Sequence, residues 1–80
     1  MTPRDVIKRL SSLPIFRDDV AFIIDCIERM PPSAHDWAFT KYEEKWRDAA
    51  DGQPAHKAAN AGARAANYFL LQVLKAKGLK

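Results

Sequence analysis

The chain has 80 residues, 48% apolar and 29% charged, with a net charge of +3. That length accommodates a single domain, here taken as residues 1–80, and that composition argues against disorder. The longest apolar run, Val20–Ile24, stops at Asp25, far short of the roughly 20 residues that a membrane-spanning helix needs.

β-branched residues are few and do not alternate, so no strand is expected, and four segments carry helical period instead. The first opens with Thr2 as N-cap, Pro3 at the first helical position and Asp5 three residues beyond the cap, a capping-box arrangement. Val6, Ile7, Leu10 and Leu13 form its apolar face, and Pro14 ends it by pushing its predecessor out of helical geometry. The second begins near Arg17 or Asp18, with Asp18 and Asp19 at the positive end of the helix dipole. Val20, Ile23, Ile24, Ile27 and Met30 make its stripe, Cys26 flanks it, Phe22 sits at its edge, and Pro31-Pro32 stops it.

The third helix is expected to start at Ser33, with Asp36 three residues on. Phe39, Tyr42, Trp46 and Ala49 line one face, and Gly52 stands where a helix terminates. Pro54 opens the fourth helix, which runs to about Ala76 before Gly78. Ala55, Ala59, Gly62, Ala66, Phe69, Leu70 and Val73 fall on one side of it. The short Gly52-Gln53 connection makes helices three and four antiparallel neighbours. Bulky side chains on one should therefore meet small ones on the other: Trp46 beside Ala58 and Ala59, Tyr42 beside Gly62, Phe39 beside Ala66. The fold class expected is a small all-α, four-helix domain with an antiparallel C-terminal helical hairpin.

Catalysis finds little support. His35 and His56 are 21 positions apart and neither belongs to a paired-histidine or Cys-His metal spacing, so surface or capping roles in the first turns of their helices are expected. Cys26 is the only cysteine, which excludes an internal disulfide and suits a small buried hydrophobe. There is no glycine-rich phosphate loop and no serine nucleophile motif. No catalytic residue, cofactor or metal site is expected.

Charge is laid out unevenly. Met1–Arg17 carries four bases and one acid, Asp18–Met30 one base and four acids, Pro31–Gly52 three bases and five acids, and Gln53–Lys80 five bases and no acid. Two binding surfaces follow. In the first, Trp37, Lys57, Arg64, Tyr68 and Leu71 contact a protein partner: Trp37 lies nearly opposite Tyr42 and Trp46 on its helix, and Leu71 sits among polar neighbours. Trp and Tyr are frequent interface anchors. The alternative for Trp37 is packing beneath the first helix or the Pro31-Pro32 loop; for Tyr68 and Leu71 it is contact with the first helix. In the second, Arg4, Lys8, Arg9, Lys57, Asn60, Arg64, Asn67 and Lys75 form a basic face for nucleic acid. The modest net charge and the hairpin connection, which is unlike a helix-turn-helix, favour the first.

The block Ala61-Gly62-Ala63-Arg64-Ala65-Ala66-Asn67, preceded by Tyr42, Trp46 and Ala49, resembles an A-G-R-R-A-A-N-like block of small proteins encoded by phages and prophages, with Ala63 where an arginine is common. The resemblance covers about the last forty residues. It implies a phage accessory protein that binds a host or phage protein, for example an inhibitor of host defence of the anti-CRISPR kind. A cytoplasmic location without a membrane role is expected, because the N-terminus lacks an apolar stretch of signal-peptide length. Association with a partner or with a second copy is expected too, since a chain this short buries only about 60–65% of its unfolded surface.

Overall fold

Thr2 supplies the first punctuation. In the computed structural model, which describes residues 1–78, the Asp5 amide donates to the Thr2 hydroxyl at 3.3 Å and the Thr2 amide donates to the Asp5 carboxylate at 2.9 Å. This is the reciprocal capping box read from the sequence, and it opens α1 (Pro3–Arg9). The Thr2 amide, and secondarily the Thr2 hydroxyl, hold the Asp5 carboxyl below its ordinary value.

Helix α1 is shorter than its apolar pattern suggests. Leu10 leaves helical geometry (φ −106°, ψ 29°) and Ser11-Ser12 continue as a turn. Serines compete with helical backbone by bonding elsewhere. Ser12 donates to the Glu43 carboxylate at 3.0 Å, and Arg9 donates to the Thr40 hydroxyl at 3.0 Å. Val6, Leu10 and Leu13 enter the core, but Ile7 remains 56% exposed. Ile7 is one residue, about 100°, round the helix from Val6, and α1 rests chiefly on α2 (Arg17–Glu28), so only one side of it is covered.

Helix α2 carries Asp18 and Asp19 in its first turn and buries Val20, Ile23, Cys26 and Ile27, with Met30 just past its end. Cys26 packs as a small hydrophobe, and burial pushes its thiol up. The expected Ser33 cap does not form. Pro32–Ala34 make a 3₁₀ turn closed by the Ala34 amide on the Pro31 carbonyl at 2.8 Å, and α3 (His35–Asp51) starts without a side-chain cap. The two prolines carry the chain straight into that turn, so Ser33 lies inside it. Asp36 meets Arg9 at 3.4 Å instead of completing a capping pair. His35 is half-buried, and its Nε2 donates to the Met30 carbonyl at 2.9 Å, tying the start of α3 to the end of the preceding segment.

Helix α4 (Ala55–Ala76) is about 33 Å long at 1.5 Å per residue, close to the 35 Å longest extent of the molecule. Gly78 follows it with φ +68°, a left-handed geometry that glycine adopts without steric penalty. Gly52, past the end of α3, has φ −87° and open space around it, so that position does not demand glycine.

Helices α3 and α4 make the most extensive contact in the fold, and large residues face small ones as volume matching requires. The register differs from expectation by about one helical turn. Trp46 lies on Gly62, where a Cβ would fall 2.5–2.9 Å from the indole atoms Cδ2, Cε2 and Cε3. Tyr42 lies a turn further on, its hydroxyl donating to Asn67 Oδ1 at 2.8 Å. Helical side chains lean toward their own N-terminus. In an antiparallel hairpin, rings on α3 therefore lean away from the connection and cover α4 residues farther from it than Cα positions alone indicate.

The buried side of α4 is also wider than expected. Ala63 and Leu74 join Gly62, Ala66 and Leu70, while Ala55 is exposed. Contact with α2 as well as α3 accounts for the extra width. Tyr42, 0% exposed, sits at the centre. Burial first, then the Asp19 carboxylate and Cys26, push its phenol well above the ordinary tyrosine value. Trp46 Nε1 is buried without a hydrogen-bond partner among the described residues.

Candidate functional site

The outer face of α4 is set by the same period that builds its core. Lys57, Arg64, Tyr68, Leu71 and Lys75 recur at spacings that keep them within about 60° of one another, opposite Ala66 and Leu70. All five are exposed, Tyr68 by 62% and Leu71 by 50%. Tyr68 and Leu71 are thus open to solvent and not covered by α1, the alternative expected for them. Asn60 is exposed between Lys57 and Arg64, and His56 is exposed in the first turn.

Trp37 is 43% exposed and belongs to a neighbouring surface. Its ring meets Phe69 at a centroid distance of 5.8 Å and a tilt of 57°, and Phe69 is about 100° round α4 from Tyr68. Trp37 also forms a wall of a 430 Å³ cleft with Met30, Pro31, Ala34, Val73 and Lys77. The cleft lies between the ring and Pro31, so Trp37 is not covered by either expected packing site, the first helix or the Pro31-Pro32 loop, and its aromatic contact is with Phe69 of α4.

The basic set divides. Arg4, Lys8, Lys57, Asn60, Arg64 and Lys75 are exposed. Arg9 is engaged with Thr40 and Asp36, and its guanidinium lies 5.6 Å from the Phe39 ring centroid. Asn67 is half-buried and accepts the Tyr42 hydroxyl. Both are thus structural side chains, held in place by partners on α3. Helix α1 rests chiefly on α2, whereas α4 packs on α3 and α2.

The cations also differ in how they are compensated. Arg9, Arg29 and Lys41 each form an ion pair, with Asp36, Asp25 and Glu44. Among the described residues, Arg4, Lys8, Arg17, Lys45 and Arg47 form none, nor do Lys57, Arg64, Lys75 and Lys77 of the α4 segment, which differs in containing no Asp or Glu at all.

One feature was not legible as a site in the sequence. An open groove of about 840 Å³ runs between α1 and α2, with Ile7, Leu10, Leu13, Val20 and Ile24 on its walls. Its two acidic residues are already compensated, Asp25 by Arg29 and Glu28 by the N-terminal amine at 3.2 Å, while Arg17 at its edge forms no ion pair among the described residues. The signal was Ile7 itself, an apolar residue on a helix too short to bury two sides.

Among the described residues, no group of three or more His, Cys, Asp or Glu side chains is placed to hold a metal ion, and no helix is long and apolar enough to cross a membrane. Compared with protein-family models, with curated proteins and with solved structures, the chain matches none.

Proposed function

We propose that this chain is a small, non-enzymatic protein-binding module that works in the cytoplasm through the outer face of α4. In the context suggested by its Ala61–Asn67 block, it is a phage accessory protein that binds or inhibits a host complex, such as a defence system. The observation that carries the reading is the pair Tyr68 and Leu71, both at least half exposed and one helical turn apart on a long, regular helix. An aromatic and an aliphatic side chain on a rigid support can be desolvated with little loss of backbone freedom, the usual basis of an interface hot spot. Trp37, beside Phe69, extends the contact at the edge.

The second reading is nucleic-acid binding through Lys57, Asn60, Arg64 and Lys75, and the unpaired cations favour it. The two separate on salt and on nuclease. Phosphate contacts make affinity fall steeply with ionic strength, while an apolar anchor retains part of its contribution. The test is capture from a bacterial host lysate, with and without nuclease, using the native chain and a Tyr68→Ser/Leu71→Ser variant. The expected result is a protein partner recovered by the native chain in both conditions and lost by the variant. Recovery of DNA or RNA alone, abolished by nuclease and indifferent to the variant, overturns the proposal.

A further inference from the structure

We infer that the partner surface of α4 is acidic and helical: a helix whose apolar ridge is flanked by carboxylates, lying lengthwise along the line from Lys57 to Lys75. The inference rests on the protein-binding reading above and specifies the chemistry of its partner. Two observations carry it. The first is charge. Across residues 55–78 every ionised side chain is a cation, and none of the four is paired among the described residues, whereas the preceding segments, which also hold unpaired bases, carry all ten Asp and Glu side chains of the chain beside their cations. Complementary potential on the partner steers the encounter and selects against basic surfaces.

The second is shape. Lys57, Arg64 and Lys75 are 7 and 11 residues apart, spacings that return to nearly the same side of a helix. The cations therefore form a straight line about 27 Å long at 1.5 Å per residue, with Tyr68 and Leu71 inside it. A second helix packed at a shallow angle can follow such a line, placing its own apolar ridge on Tyr68 and Leu71 and its flanking carboxylates beside the bases. The methylene stems of Lys57, Arg64 and Lys75 widen the apolar strip under their charged ends.

The experiment uses two synthetic amphipathic peptides of about 18 residues with the same leucine ridge, one flanked by glutamates and the other by lysines. Each is titrated into ¹⁵N-labelled protein. The expected result is that only the acidic peptide shifts the amides of Arg64, Tyr68, Leu71 and Lys75, with affinity falling at least tenfold between low and high salt. An Arg64→Glu/Lys75→Glu variant should reverse the preference, binding the basic peptide and rejecting the acidic one. That gain of binding separates the inference from loss of fold. Equal binding of both peptides at Tyr68 and Leu71 overturns the acidic partner while leaving the protein-binding reading intact. No peptide binding, with the same amides shifted by a single-stranded oligonucleotide, overturns both. Shifts confined to Ile7, Leu13 and Ile24 place the peptide in the α1–α2 groove and overturn the inference.

Discussion

Replacing Gly62 with alanine should destabilise this protein, although the same change in most helix interiors does the reverse. Alanine is favoured over glycine by about 1 kcal/mol in a helix interior, and α4 continues without interruption on both sides of Gly62. Against that gain stands the Trp46 indole. The new Cβ would lie 2.5 and 2.7 Å from the two fusion carbons Cδ2 and Cε2 and 2.9 Å from the adjacent Cε3, each well inside the 3.5–4.0 Å optimum for carbon–carbon contact. The ring cannot swing aside freely, since Trp46 is 7% exposed and packed into the core. Overpacking of this kind is worth about 1–3 kcal/mol. The net effect should be a loss of up to about 2 kcal/mol, and each kcal/mol lowers the melting midpoint by roughly 4–8 °C in a domain of this size.

A background that removes the indole isolates the cause. In Trp46→Leu, Gly62→Ala should become neutral or stabilising by up to about 1 kcal/mol, because only the propensity gain remains. Urea unfolding followed by far-UV circular dichroism on the four proteins of the cycle gives the coupling, expected at about 1–3 kcal/mol, with a constant slope confirming a common unfolded state. A stabilising Gly62→Ala in the native background, or equal effects in both backgrounds, would refute the claim that Trp46 and Gly62 set the spacing of α3 and α4.

Tyr42→Phe should lose about 1 kcal/mol at neutral pH through the hydroxyl that Asn67 accepts. It should also flatten the alkaline limb of the stability curve, measured by denaturant unfolding from pH 8 to 11. The folded phenol is raised above the unfolded value of about 10, so its contribution is complete below that pH and is lost above it, at up to about 1.4 kcal/mol per pH unit. Cys26, also raised from its ordinary 9.0, gives a loss of the same sign that begins earlier and persists in the variant. Thr2→Ala should cost about 0.5–2 kcal/mol by breaking the capping box, whereas Ser33→Ala should stay within about 0.5 kcal/mol because that side chain caps nothing; a thermal melt of the pair distinguishes a formed cap from a merely plausible one.

The contrast between Thr2 and Ser33 marks how far local sequence reaches. Both look like N-caps, and both precede an acid three residues on. Thr2 is followed by a proline that suits the first helical position, but Ser33 is preceded by two prolines that commit the chain to a 3₁₀ turn first. Volume matching between α3 and α4 was legible because it depends on side-chain size alone. Its register was not, since the lean of a tryptophan along its helix moves the contact by a turn. Leu74 and Ala63 were missed for a different reason: their burial accompanies a second neighbour, α2, which a hairpin considered by itself does not include. The exposed line on α4 was readable from period alone. The engagement of Arg9 and Asn67 was not, since both partners, Thr40 and Tyr42, come from a helix distant in sequence.

Folding places little demand on the residues of that line. Leucine and lysine have nearly the same helix propensity, so at position 71, 50% exposed, a polar helix former would serve the backbone equally well. The same holds for Tyr68, whose ring finds no aromatic partner among the described residues. Core positions of α4 are fixed by the rings they meet, as at Gly62, and cannot vary without a stability change. Outer positions are free to answer to something outside the chain. A Tyr68→Lys/Leu71→Lys variant makes this separation measurable. Its unfolding free energy should stay within about 1 kcal/mol of the native chain, as for two surface substitutions of about ±0.5 kcal/mol each. Its affinity for a partner should fall more than tenfold, since one buried anchor is commonly worth over 1 kcal/mol. A large loss of stability would instead assign Tyr68 and Leu71 to the fold, and an unchanged affinity would move the binding face elsewhere on the molecule.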